Sequence, residues 1–320
     1  MRRASVGSTA RAPLRAVLYH HVAEQPSSLV NRLAVNTPPD VFEAHMRKIA
    51  RDYDVVSLDD VLSGRLPRRA LLITFDDGYR SVVEVALPIL RRLGLPSVFF
   101  VTGACLDRDS LPLDNLLSHL CASVGLDRLG TAVDAQTDVT DTFAQLLDLV
   151  AALPYGRRLR LGDELAERFD VDQAKVRAAS GLFLEREDLT GLAALSCEVG
   201  NHTRSHLFCR SIVSEGSARH ELVEHARELE SLTGAPVRGF SYPYGYRHDA
   251  KPIVERVLRA SGHEAVFLAE SRPHVKGRLG QLWNRVAMDG RPAWRIGHDL
   301  ELLPRLRARR DRLWEQARLV

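Results

Sequence analysis

The chain has little cysteine. Four residues in 320, Cys105, Cys121, Cys197 and Cys209, form no Cys-x-x-Cys pair, so neither a zinc ribbon nor a disulfide scaffold is indicated. It also lacks a long hydrophobic run. No stretch of about 18 apolar residues occurs, and no transmembrane helix is expected. The opening Met1-Arg2-Arg3-Ala4-Ser5-Val6-Gly7-Ser8-Thr9-Ala10 is basic with no apolar stretch behind it, unlike a secretory signal. Reduced thiols in a cytoplasmic protein are the expectation. An excess of one charge is missing too. Lys+Arg number 44 and Asp+Glu 41, a net +3, which argues against nucleic acid as a partner, because that needs a concentrated basic face. Basic clusters at the two ends, such as Arg2, Arg3, Arg11 and Arg15, or Arg305, Arg307, Arg309, Arg310 and Arg312, read as solvated termini. No internal repeat or low-complexity tract is visible.

What is present is an ordinary globular composition, 45% hydrophobic and 27% charged, at a length that suits one large domain or two smaller ones. Short apolar runs recur between turn residues: Ala16–Tyr19, Val55–Ser57, Leu71–Phe75, Ser97–Val101, Cys197–Gly200, Gly239–Tyr242, Ala265–Leu268 and Leu282–Val286. Most lack clean alternation, which suits strands buried on both faces. Helical spacing lies between them. Asp40–Asp52 places Val41, Met46, Ile49 and Ala50 on one face; Ser81–Leu93 stops at Gly94; Ser217–Leu232 stops before Gly234 and Pro236. Such alternation means parallel βαβ units, and so an α/β barrel or a doubly wound sheet. About 95 residues separate Val101 from Cys197, where a βαβ unit needs only about 30. Asp114–Val124, Asp141–Leu153 and Gly162–Arg177 read there as amphipathic helices, so a mainly helical insertion is expected from about Asp107 to Leu182.

Three local patterns carry chemistry. In Leu71-Leu72-Ile73-Thr74-Phe75-Asp76-Asp77-Gly78, an apolar strand ends in two adjacent carboxylates. Paired aspartates at a strand end repel each other unless a cation or a shared proton sits between them, and this end of a parallel strand is where active sites lie. The same residues also read as a helix cap beside a solvated Asp, or as a phosphoacceptor pocket. In Gly200-Asn201-His202-Thr203-Arg204-Ser205-His206, two histidines four apart share a face if the segment turns helically, and both imidazoles then reach one ion. Alone, that spacing reads more readily as structural; its place directly after a strand, where the aspartates also lie, is what raises it. In Phe240-Ser241-Tyr242-Pro243-Tyr244-Gly245, proline holds Tyr242 extended and Gly245 permits a sharp turn, which can aim a backbone N–H into a cleft or simply pack a barrel rim.

In order and context these patterns resemble the polysaccharide deacetylase family, the family-four carbohydrate esterases with the NodB-homology domain. Thr74 to Gly78 match its Thr-Phe-Asp-Asp-Gly motif, His202 to His206 its His-Ser/Thr-x-x-His motif, and Pro243-Tyr244 its third turn. Val17-Leu18-Tyr19-His20-His21-Val22 is similar to the opening strand of exopolysaccharide-type members. The likeness spans about residues 13–106 and 182–290. It implies a distorted (β/α) barrel of seven or eight strands, expected over 13–300; the insertion at about 107–182 stands outside the likeness, and a helical tail is expected over 301–320. It implies hydrolysis of an acetyl group, most naturally an N-acetyl, from a sugar, glycan or glycan precursor. By motif, Asp77, His202 and His206 would hold a divalent metal and Asp76 would be the general base. The backbone N–H of Tyr244 would stabilise the oxyanion. Zinc fits two imidazoles and one carboxylate, and nickel or cobalt suits the same set.

Two departures stand out. Members often carry Arg two residues before the proline, where this chain has Ser241; Arg285, in Trp283-Asn284-Arg285-Val286, is the nearest replacement. The late Leu-x-His motif that supplies a general acid is absent; among His20, His21 and His274, His20 is favoured because it follows the first strand at the same rim. Hydrolysis of another non-peptide amide, or glycan binding without catalysis, remain the alternatives.

Overall fold

The computed structural model describes residues 14–134, 141–192, 197–272, 274–277, 280–307 and 309–310. Eight parallel strands form a nearly closed ring: β1 (Arg15–Tyr19), β2 (Ala70–Phe75), β3 (Ser97–Val101), β4 (Cys197–Asn201), β5 (Gly239–Ser241), β6 (Ala265–Leu268), β7 (Gly280–Asn284) and β8 (Val286–Ala287). Neighbours run in chain order from β1 to β7, and β8 lies on the other side of β1. The expected single strand Leu282–Val286 is therefore split at Arg285. Arg285 N still bonds Leu268 O on β6 at 3.0 Å, whereas Met288 N bonds Leu18 O on β1 at 2.9 Å. The chain itself steps across the seam and closes the barrel, and that step is its distortion.

Side chains alternate across the ring. Ala16, Ala70, Leu72, Val98, Phe100 and Phe267 form the inner cluster. Val17, Tyr19, Leu71, Ile73, Phe75, Phe99 and Val101 pack outward against helices. Burial on both faces explains the continuous apolar runs. Gly200 on β4 is required by close approach, since a Cβ there would lie 2.3 Å from Cδ1 of Phe100.

Helix α1 (Pro39–Asp52) buries Phe42, His45, Met46 and Ile49, so the inward face is set one residue away from the expected Val41 and Ala50. The expected strand Val55–Ser57 ends at Val55. Ser57 instead caps α2 (Leu58–Ser63) in a reciprocal box with Asp60, and Leu58 and Val61 plug the bottom of the barrel. The segment from Val82 runs through a π turn into α3 (Leu87–Leu93) and stops at Gly94, as expected.

The insertion is mainly helical: α4 (Leu113–Val124), α5 (Leu126–Val133), α6 (Phe143–Ala152), α7 (Tyr155–Arg168) and α8 (Gln173–Ser180). A single helix over Gly162–Arg177 does not form. Asp170 takes φ +54° and the Asp172 side chain accepts from Lys175 N at 3.0 Å, which ends one helix and starts the next. Leu116, Leu120, Leu129, Leu146, Val150, Leu161 and Leu165 give the insertion its own core, joined to the barrel through Tyr79 and Phe183. The four cysteines are buried free thiols. No helix among the described residues is long and apolar enough to cross a membrane. In the expected tail over 301–320, residues 308 and 311–320 lie outside the described residues.

Candidate metal centre and catalytic cleft

The inward alternation Ala70, Leu72, Thr74 continues into Asp76 at the C-terminal mouth of the barrel. Its carboxylate is 2% exposed, and a buried charge of this kind needs a partner. Arg285, 0% exposed, supplies it: Nη1 donates to Oδ1 and Nη2 to Oδ2, each at 2.6 Å. This is the planar fork that arginine makes and lysine cannot. Arg285 also donates to Thr74 Oγ1, Leu268 O and Ser241 Oγ, and Ser241 donates in turn to Asp76 Oδ2 at 3.1 Å. The Arg285 Cζ lies over Phe100 and Phe267, the rings that fill the barrel beneath it. Burial pushes the Asp76 carboxyl up, but the Arg285 guanidinium and His202 pull it below the usual range.

Asp77 turns the other way, with φ +78°. Its Oδ1 is 3.5 Å from His202 Nε2 and 3.2 Å from His206 Nε2. The next residue, Gly78, has φ +151°, and a Cβ there would meet Cys105 Cβ at 2.6 Å. The two histidines do not sit on a helical turn. Thr203 (φ +66°) and His206 (φ +46°) make Asn201–His206 an irregular loop. Asn201 Oδ1 accepts from Thr203 N, and the buried Glu221 accepts Ser205 N and, through its backbone carbonyl, Arg204 N, which pins that loop. Four of the seven described non-glycine residues with positive φ are Asp77, Thr203, His206 and Tyr244. Strain concentrated in this way marks a site held in shape by its surroundings.

The donor set fits a metal ion. One atom from each of Asp77, His202 and His206 lies within 4.8 Å of the others. Each imidazole has its Nδ1 engaged elsewhere: His202 Nδ1 with Ser241 O at 2.8 Å, and His206 Nδ1 with Asp114 Oδ2 at 3.0 Å. An Nδ1–H donor to those acceptors leaves each Nε2 lone pair facing Asp77, the arrangement of a ligating histidine. Burial pushes His206 down, but Asp77 and Asp114 raise it to about 10. The cluster calls for positive charge, as a proton or as a cation.

His20, Asp76, Asp77, His202, His206 and Tyr244 line one cavity of about 270 Å³. His20 is held by Asp289, which accepts from its backbone N–H at 3.2 Å and pairs with its Nδ1 at 2.8 Å. Burial lowers His20, and Asp289, together with Asp77 and Asp76, outweighs it, raising the imidazole to about 9. The other two candidates lie elsewhere: His21 Nδ1 pairs with Asn36, and His274 Nε2 with Leu14 O. Tyr244 sits in the turn with φ +60°, its ring stacked on Phe208 at 3.6 Å. Its hydroxyl donates to Asp114 Oδ2 at 2.6 Å and accepts from Arg158 at 3.0 Å.

Three participants were not read from the sequence: Asp289, Asp114 and Arg158. The last two come from α4 and α7 of the insertion, and no local pattern sets them apart from other surface-type residues on an amphipathic helix. Asp289 lies within Met288-Asp289-Gly290, a turn directly after the last strand, where position at the mouth was the available signal.

The family description "Polysaccharide deacetylase" matches residues 63–266, more than half of the chain. No curated protein matches. Among solved structures, the deacetylase PplD of Streptococcus pyogenes in complex with acetate is 12% identical with a TM-score of 0.59, covering 90% of this chain and 98% of that one. A polysaccharide deacetylase from Bacillus cereus is 13% identical with a TM-score of 0.54, covering 90% and 69%. A de-N-acetylase from Aggregatibacter actinomycetemcomitans is 15% identical with a TM-score of 0.53, covering 85% and 94%. At these identities the likeness concerns the fold alone. The chain belongs to the polysaccharide deacetylase family.

Proposed function

We propose that this chain is a metal-dependent deacetylase that removes an N-acetyl group from an acetylated sugar, glycan or glycan precursor. The observation that carries the reading is the pairing, in one cavity, of a metal-ligand triad with a buried carboxylate that lies outside it. A divalent cation held by Asp77, His202 and His206 would supply Lewis-acid polarisation of the acetyl carbonyl and of water. Zinc suits this set, and nickel or cobalt fits it as well.

Asp76 acts as general base. Its Oδ2 is 3.7 Å from His202 Nε2, beside the triad. Arg285 and Ser241 keep it ionised and fix its direction, so that it accepts a proton as the water oxygen attacks the acetyl carbon. The backbone N–H of Tyr244 is assigned to the developing oxyanion, a contact typically worth about 3–4 kcal/mol. His20, protonated and oriented by Asp289, gives its proton to the departing nitrogen as the C–N bond breaks. A free amine and acetic acid leave, and the acid's proton, the second from the attacking water, passes to solvent as it ionises to acetate. Solvent exchange returns the proton from Asp76 to His20.

His20 with Asp289 supplies the proton donor whose usual motif the chain lacks, and this favours a working enzyme over a glycan-binding protein without activity. The test is acetate and free amine measured together from N-acetylated oligosaccharides with zinc-loaded protein. Equimolar products are expected. Glycan binding with neither product would overturn the reading.

A further inference from the structure

The insertion does more than wall the cleft. Asp114 on α4 is 6% exposed; the leucines of that helix, with Asn115 bonded to Leu29 O and Tyr79 and Ser118 bonded to Ser28 O, anchor it elsewhere. Its Oδ2 meets two groups of the barrel, His206 Nδ1 at 3.0 Å and the Tyr244 hydroxyl at 2.6 Å. Arg158 on α7 reaches the same place, donating to Tyr244 Oη at 3.0 Å and to His206 O at 3.1 Å. Tyr155, at the start of α7, donates to Glu221 Oε1 at 2.9 Å, and Glu221 in turn pins the histidine loop. Two helices of the insertion therefore converge on one ligand and its loop.

We propose that Asp114 is a positioning residue of the metal site, holding His206 as the Nδ1–H tautomer so that Nε2 faces Asp77, and that the helical insertion is thereby part of the metal centre. The inference rests on the metal-dependent reading above. It adds that metal affinity is set partly from outside the barrel. The physical reason is that a neutral imidazole has two tautomers and a rotatable ring. A carboxylate at Nδ1 selects one tautomer, fixes the ring plane and raises the basicity of Nε2. His202 has only a backbone carbonyl at its Nδ1, so His206 is the ligand more dependent on a single side chain.

The test is zinc affinity of the full chain by competition with a chromophoric chelator, with no substrate present. Asp114→Ala should weaken zinc binding about 10–100-fold and Asp114→Asn by less, since the amide oxygen still accepts Nδ1–H. Tyr244→Phe removes the other partner of the same carboxylate and should change affinity by less than about threefold. In the zinc-loaded chain, the slowly exchanging His206 Nδ1–H proton resonance should be present in the wild type and lost in Asp114→Ala. Wild-type affinity in Asp114→Ala overturns the proposal and leaves the metal centre intact. Equal losses in Asp114→Ala and Tyr244→Phe also overturn it, because they would mean that Asp114 only docks the insertion. If Asp114→Ala does not fold, the Asn variant and the resonance decide. A wild type that binds no zinc removes both this inference and the metal-dependent reading.

Discussion

Arg285 and Asp76 lie 209 positions apart and meet through two 2.6 Å hydrogen bonds in the floor of the cleft. The arginine stands at the point where the chain crosses the barrel seam, so the residue that holds the Asp76 carboxylate also bridges the seam. Taking one partner from such a buried pair leaves an uncompensated charge, at a cost of about 3–5 kcal/mol.

Arg285→Lys should therefore behave poorly despite keeping the charge. The ammonium cannot make the two-pronged contact. Because the guanidinium lowers the Asp76 pKa, its loss raises that pKa. The acidic limb of kcat/KM should then move to higher pH, with kcat down about 10–100-fold. A pH–rate profile and a melting curve check both. An unchanged acidic limb contradicts the assigned role.

His20 must be protonated to donate, so activity should fall as pH rises through its pKa. Burial lowers that value, and Asp289 with Asp77 and Asp76 raises it to about 9; a cation offsetting the negative charge of Asp77 and Asp76 moves the limb below that. Asp289→Asn should shift the limb down toward the ordinary histidine value of about 6.5 and lower kcat. A limb that stays in place would assign the proton donor elsewhere.

Metal loading should be linked to pH. His206 is raised to about 10 in the metal-free chain, yet only the neutral ring binds a metal. Loading near pH 7 should release about one proton, and affinity should rise about tenfold per pH unit below that pKa. The metal-free fold behaves oppositely. The raised pKa stabilises it below about pH 6.5, and this is lost as pH climbs through about 10. Calorimetry in buffers of different ionisation enthalpy reads the proton count. A count of zero contradicts the coupling.

Gly200→Ala should cost about 1–3 kcal/mol, because the added methyl would lie 2.3 Å from Phe100 Cδ1. Thermal melting tests it, and the paired Gly200→Ala, Phe100→Leu variant should recover part of the loss.

The sequence was most informative where chemistry is local. Leu71–Phe75 followed by Asp76 and Asp77 identified a strand end with paired carboxylates, because burial on both faces and a charge pair are written in adjacent residues. The alternation of runs and helices showed parallel βαβ units and the insertion, while a barrel rather than a doubly wound sheet was indicated only by the motif resemblance. The histidine pair was found by spacing, but the reason was different from a helical turn. Left-handed residues and Glu221, distant in sequence, shape that loop. The Gly162–Arg177 helix was misread because periodicity continued across Asp170, whereas Asp172 begins a new helix. Asp114 and Arg158 were silent because their partners lie 92 and 48 positions away, and only folding brings them together.

The most direct test of the account is acetate release measured beside metal content, in wild type and Asp76→Asn, on protein purified without a metal-affinity tag and reloaded with zinc. The account predicts about one zinc per chain in both, with acetate from an N-acetylated oligosaccharide in the wild type alone. Undiminished acetate release by Asp76→Asn, or release by zinc-free wild type, would contradict it.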